Sequence, residues 1–225
     1  VNQHLLELRS RLMRSLLILA IVFSCCFYFS NYIYAYISNP ILKYLPHNTQ
    51  IIATQVTAPF MVPLQLSFIC AVLLCAPYLL SQLWMFIKPG LYKQERQKII
   101  PVVILSCLLF YIGISFGLFI IAPFALKFFT NCAPDGVTVM LDIGNYLDFI
   151  ITIALAAGIA FQIPILTNLL IKIGIFKKTQ LRNKRRHVIV IALIAGMLLA
   201  PPDVLSQLLL AIPMWGLFEI GLIFS

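Results

Sequence analysis

Two carboxylates, Glu7 and Glu95, stand in segments otherwise crowded with Lys and Arg, and this contrast is the main chemical signal in the chain. Of its seven acids, only these two fall in such segments, unless Glu219 reaches the same level. A carboxylate in a cationic field can receive a further cation. A guanidinium meets it through two parallel hydrogen bonds, a geometry that an ammonium cannot copy. Spacing offers each a plainer role. Glu7 precedes Arg11 by four residues, the separation for pairing along a helix, and Glu95 can pair with Lys98 in a loop.

The residue sets that make enzymes are missing. His4, His47 and His187 lie in tails, loops or at a span edge, which argues against a Ser-His intramembrane hydrolase and a His-ligated metal. No Gly-x-x-x-x-Gly-Lys-[Ser/Thr] loop occurs. Cys25, Cys26, Cys70, Cys75 and Cys107 lie in apolar runs, where free Cys packs as a small hydrophobe, and Cys132 is alone in a polar loop. Without a C-x-x-C pair, neither a disulfide framework nor a metal site is expected.

What must position the acids is a membrane. Fourteen of the sixteen cations form three clusters: Arg9/Arg11/Arg14, Lys88/Lys93/Arg96/Lys98, and seven from Lys172 to Arg186. Long apolar runs separate them. Hydrophobic residues make up 62% and charged residues 10%, against roughly 45–50% and about 25% in soluble domains. Lipid must cover the excess. The expected fold is an all-α polytopic membrane protein, one domain of six transmembrane helices near 12–30, 62–87, 99–124, 146–171, 187–200 and 204–224.

The last two spans are weaker. Residues 187–200 provide about 21 Å of helix against a hydrocarbon core of about 30 Å. A re-entrant segment is the alternative, but a short span fits the basic cluster before it and Asp203 after it, and would thin the bilayer locally. The sixth carries Pro213, Trp215 and Glu219. Flanking cations place both termini and the loops at 88–98 and 172–186 in the cytoplasm. The loops at 31–61 and 125–145 and the Pro201–Asp203 turn then lie outside, with Asp135, Asp142 and Asp148 on or beside that face. The net charge of +9 suits anionic lipid headgroups rather than nucleic acid.

Pro77, Pro164 and Pro213 interrupt spans, so kinks and a curved, open-sided bundle are expected, with ordinary tolerance of proline as the alternative. Pro40, Pro46, Pro59, Pro63 and Pro134 stiffen the outer loops. Gly113 and Gly117 form a small-xxx-small pair that allows close helix contact. The chain starts at Val1 and stops at Ser225 inside an apolar run, so both ends read as trimmed, and no signal-peptide cleavage site follows the first span.

Three strings carry a family resemblance: His4-Leu-Leu-Glu7-Leu-Arg9-Ser-Arg11-Leu12, then Phe86-Ile-Lys-Pro89-Gly90-Leu91-Tyr92-Lys-Gln-Glu95-Arg96, then Gly196-Met-Leu-Leu-Ala-Pro201-Pro202-Asp203. In order and spacing they resemble the TatC family, the core membrane subunit of the twin-arginine protein translocase. The resemblance implies a non-enzymatic, cofactor-free receptor for signal peptides with two adjacent arginines. With small single-span TatA/TatB-type subunits and other copies of itself, it would move folded proteins across a bacterial inner membrane, or an organelle membrane, using the proton gradient.

By the same resemblance Glu7 and Glu95 meet the arginine pair, and Arg9 and Phe86 frame it. Pro40, Pro89, Gly90 and Asp203 shape loops, while Met197, Ala200 and Gln207 form the docking edge for single-span partners. Two positions depart from the pattern. Phe161-Gln162 stands where the family commonly carries an acid after Phe, and Ala200 stands where many relatives place Thr. Read by itself, Gln162 is a polar side chain bonding backbone near Pro164 or a neighbouring helix. A small-molecule transporter is the other functional reading, although such carriers place ionisable groups at mid-membrane or repeat their halves. A lipid-modifying enzyme lacks its constellation.

Overall fold

A computed structural model describes residues 2–30, 32, 51–52, 57–90, 99–132, 141–174, 176–199 and 204–223. The elements are α1 (Asn2–Tyr28), β1 (Ile51–Ile52), α2 (Ala58–Ile87) with a 3-10 turn at Lys88–Gly90, and α3 (Ile99–Phe116). A π turn at Gly117–Ile121 leads into α4 (Ala122–Asn131), followed by β2 (Leu141–Asp142), α5 (Ile143–Ala160) and α6 (Ile163–Lys172). Then come α7 (Lys178–Asn183), α8 (Arg185–Leu199) and α9 (Val204–Ile223). The protein is an all-α membrane protein apart from the two-residue strands.

Among the described residues, five helical stretches are long and apolar enough to cross a bilayer: Leu6–Tyr28, Ala58–Ile87, Ile99–Phe129, Ile143–Lys172 and Val204–Ile223. They match five of the six expected spans. The stretch expected at 187–200 is a helix, α8, of 15 residues, which gives about 22 Å at 1.5 Å per residue.

Several boundaries differ from expectation for local reasons. α1 begins at Asn2, ten residues before the apolar run, because Leu, Glu and Arg are all good helix formers and carry the helix through the charged segment. Pro59 and Pro63, expected in an outer loop, lie in the first turns of α2. Pro59 falls where the helix has no partner for an N–H. Pro77 and Pro213 sit inside continuous helices, whereas Pro164 accompanies a real break. There Phe161 and Gln162 form a turn between α5 and α6, and a proline at 164 cannot donate to the carbonyl of Ala160. α2 gives way to the 3-10 turn after Ile87, where Pro89 has no N–H to offer the carbonyl of Met85.

The chain falls into two compact units. The first comprises 1–86 with 133–148, and the second 87–132 with 149–225. In the first, α1 and α2 run antiparallel: Arg11 meets Gln82, Phe23 meets Phe68 edge-on at 6.1 Å, and the Ser67 hydroxyl donates to the Cys26 carbonyl at 3.4 Å. β1 and β2 pair in parallel, Ile51 with Leu141 and Ile52 with Asp142. Asp142 also accepts the Asn145 N–H at 3.2 Å, an N-cap for α5.

The second unit is built on small residues. A Cβ on Gly113 would lie 2.7 Å from the Ala157 carbonyl oxygen, so α3 approaches α5 as the glycine spacing led one to expect. A Cβ on Gly221 of α9 would lie 2.9 Å from the Cα of Pro164 in α6, and one on Gly196 of α8 would lie 3.0 Å from the Gln207 carbonyl oxygen. Ile121, Ala122, Ile153, Ala156, Ala157 and Leu210 form the central cluster. Gly113, Gly117, Ile121 and Ala125 are all buried at four-residue steps. Twelve residues of plain α-helix at 3.6 per turn would leave the last about 120° off the first. The π turn, in which the Ala122 N–H bonds to the Gly117 carbonyl, takes in one extra residue and restores the face.

Candidate functional site

The first cluster of site residues lies at the end of the α1/α2 pair that carries Arg9, Arg11 and Phe86. The segment around Glu7 is helical, so Glu7 and Arg11 share a face one turn apart. Arg11 donates from Nε at 3.1 Å and from Nη2 at 2.8 Å to the same oxygen, Oε1 of Glu7. Its Nη1 reaches across to Oε1 of Gln82 on α2, at 3.0 Å. The helical pairing anticipated for Glu7 is therefore present. The antiparallel register then sets Glu7, one turn before Arg11, level with Phe86, one turn after Gln82. The side chain of Glu7 remains 41% exposed and that of Arg11 25%.

Arg9 is exposed and two residues from Glu7, hence turned about 200° from it around α1. Pro89 is exposed and Gly90 completes the 3-10 turn that leads out of α2. Glu95, with the Lys98 expected to pair with it, lies outside the described residues, as do Pro40, Ala200 and Asp203. Gln82 was not singled out in the sequence. The available signal was an amide in the last two turns of an apolar helix, one turn before Phe86.

A second polar point lies in the other unit. Gln162, at the break between α5 and α6, donates from Nε2 to the Ser106 carbonyl at 2.9 Å and accepts from the Ser106 hydroxyl. Ser106 is fully buried in α3. Here the amide does what a carboxylate could not: its nitrogen satisfies a backbone carbonyl while its oxygen satisfies a hydroxyl. Of the two plain readings, bonding to a neighbouring helix is the one realised. Among the described residues, no group of His, Cys, Asp and Glu is arranged to hold a metal ion.

The third point is the α8/α9 hairpin. Gln207 donates to the Leu193 carbonyl at 3.0 Å, so this amide joins the two helices. Met197 is exposed beside it, as are Ile194, Leu198, Val204, Leu208 and Ile212. At the other end, Arg185 pairs with Glu219 at 2.6 Å. That bond puts Glu219 level with the basic segment before α8. One oxygen of Glu219 is buried without a partner among the described residues.

Apolar helices, exposed loop cations and carboxylates confined to a few positions define a multi-pass α-helical membrane protein. Residues 3–213 match the family described as Sec-independent protein translocase protein (TatC). The chain belongs to that family, which is a transport family rather than a catalytic one. It is 47% identical to the Sec-independent protein translocase protein TatC of Escherichia coli (strain K12) over 222 residues, covering 99% of this chain and 86% of that protein. The TatC of Azotobacter chroococcum is 48% identical over 222 residues, with 99% and 87% covered. A crystal structure described as the twin-arginine translocase receptor TatC superposes with a TM-score of 0.86 at 36% identity, over 98% of this chain and 96% of that one. A second, solved in DDM, gives 0.87 at the same identity, over 98% of each.

Proposed function

We infer that this chain is the signal-peptide receptor and core subunit of a twin-arginine translocase, exporting folded proteins with the energy of the proton gradient. The observation that carries the reading is its 36% identity, over 98% of its length, to a structure described as that receptor. The small-molecule transporter reading gains nothing from the relatives. Glu7 and Glu95 are the carboxylates that meet the two signal guanidinium groups, with Arg9 and Phe86 framing the site. Pro40, Pro89, Gly90 and Asp203 shape loops. Met197, Ala200 and Gln207 line the docking edge for single-span subunits of the TatA/TatB type, and further copies of the chain complete the assembly.

Six crossings with both termini inside, α8 being the short fifth, suit the charge distribution. The Arg185–Glu219 pair supports this layout, since it holds the far part of α9 at the level of the basic segment. The membrane is then a bacterial inner membrane.

Crosslinking tests the reading. A twin-arginine peptide carrying a photoreactive group is expected to label the wild-type chain, and Glu95→Gln to abolish that labelling. Undiminished labelling of Glu7→Gln/Glu95→Gln would end the receptor assignment. In cells lacking the protein, a folded twin-arginine reporter should stay in the cytoplasm while small-solute uptake is unaffected.

A further inference from the structure

Arg11 already holds the carboxylate that the receptor reading gives to the ligand. Three of its N–H groups are engaged: Nε and Nη2 on Oε1 of Glu7, and Nη1 on Oε1 of Gln82. The chain thus places a guanidinium of its own where a foreign one is to bind. We propose that Arg11 is a built-in competitor at Glu7, so that an arginine ligand engages this carboxylate by exchange of one guanidinium for another. The proposal rests on the receptor reading above.

The chemistry of exchange sets its consequences. Incoming and outgoing groups are the same, so most of the attraction gained from the ligand replaces attraction lost from Arg11. The ligand's dissociation constant is raised by the inverse of the fraction of time Glu7 stands open. That fraction is a property of the free protein, and it scales the affinity of every dibasic ligand equally. The preference for Arg-Arg over Lys-Lys comes from carboxylate geometry, whereas Arg11 sets the absolute affinity below which weak ligands stay off. Gln82 gives the displaced guanidinium a second anchor on α2, so Arg11 stays close enough to return. A merely bracing role for Arg11 has the opposite sign, because removing a brace weakens binding.

The test is a titration of the full chain, in detergent micelles, with a fluorescent twin-arginine peptide and its Lys-Lys counterpart. Arg11→Gln is expected to tighten both by about threefold to fivefold, the upper part of the range for losing a partly exposed ion pair. The ratio of the two affinities should hold within about twofold. Arg11→Lys keeps the charge but not the fork, and is expected to tighten both by a smaller factor; it also serves if Arg11→Gln fails to fold. Arg14→Gln removes the same charge about two turns from Glu7 and is expected to change neither affinity beyond twofold. Unchanged or weakened binding in both Arg11 variants overturns the competitor, and so does equal tightening in Arg14→Gln. Glu7→Gln separates the two claims. If it weakens binding while the Arg11 variants also weaken it, the receptor reading stands and the competitor falls. If Glu7→Gln leaves binding unchanged, the competitor falls, and the receptor reading falls with it only if Glu7→Gln/Glu95→Gln also binds unchanged.

Discussion

At the scale of single residues, the polar chemistry of this protein is concentrated in a few side chains that must each satisfy a partner. Glu7 faces Arg11 within hydrogen-bond reach, so Glu7→Gln removes an ion pair as well as a ligand-binding charge. A charged hydrogen bond contributes about 1.5–3 kcal/mol, and each 1.4 kcal/mol is a factor of about ten. Because the peptide must displace Arg11 from Glu7, Glu7→Gln is expected to weaken a twin-arginine peptide by less than that tenfold, a loss of a few-fold in fluorescence titration. Gln162 is a different case. Its amide pairs with both the hydroxyl and the carbonyl of buried Ser106, and Gln162→Leu would orphan them. A loss of about 1–3 kcal/mol is expected, read as a lower melting temperature in detergent. Gln162→Glu, once ionised, would set an acceptor against the Ser106 carbonyl, so this variant is expected to be less stable at high pH than at low pH. That Gln162 would be a structural polar group was legible in the sequence. That Ser106, fifty-six positions away, would be its partner was not, because periodicity reports the buried face of a helix and not the helix that covers it.

At the scale of elements, close approach through glycine decides which helices meet. A side chain at Gly113 would collide with the Ala157 carbonyl, which belongs to backbone and cannot swing aside. Gly113→Val is expected to cost about 1–3 kcal/mol or more by overpacking, again read by thermal unfolding. A methyl group added at Gly216 in α9 would meet nothing within 4 Å, so Gly216→Ala should be neutral or stabilise by up to about 1 kcal/mol through helix propensity. The glycine pair in α3 was visible as a pattern, and the approach it permits is realised. The element ends were less legible. Helix α1 runs ten residues further towards the amino terminus than its apolar stretch, because hydropathy marks what lipid covers and not where backbone hydrogen bonding stops. The pairing of Ile51 with Leu141 left no trace in composition, since each strand is two residues long and takes its partner from a remote part of the chain.

At the scale of the whole molecule, the segregation of cations carried most of the information. Five spans and the family followed from it and from three short strings, while the level of Glu219 required the structure. Arg185 is the donor that faces Glu219, and one carboxylate oxygen is buried. Arg185→Gln is thus expected to destabilise more than Glu219→Gln, since it strands a charge where the other removes it. Double replacement should recover part of the loss in thermal unfolding. Cysteines placed singly at Lys178 and Ser225 should be labelled by an impermeant maleimide from the same side of oriented vesicles; labelling from opposite sides would leave only one of α8 and α9 as a crossing. The wide turn at Gly117–Ile121 has its own consequence for how this chain can vary in length. Because one surplus residue is stored there, deleting Leu118 would let the segment relax into uniform α-helix with its downstream face nearly unchanged. The same deletion at Leu108, in the regular part of α3, would swing every later side chain by about 100° and expose Gly113 and Gly117 to lipid. A chain shorter by a single position could thus keep its packing if the missing residue came from that one coil.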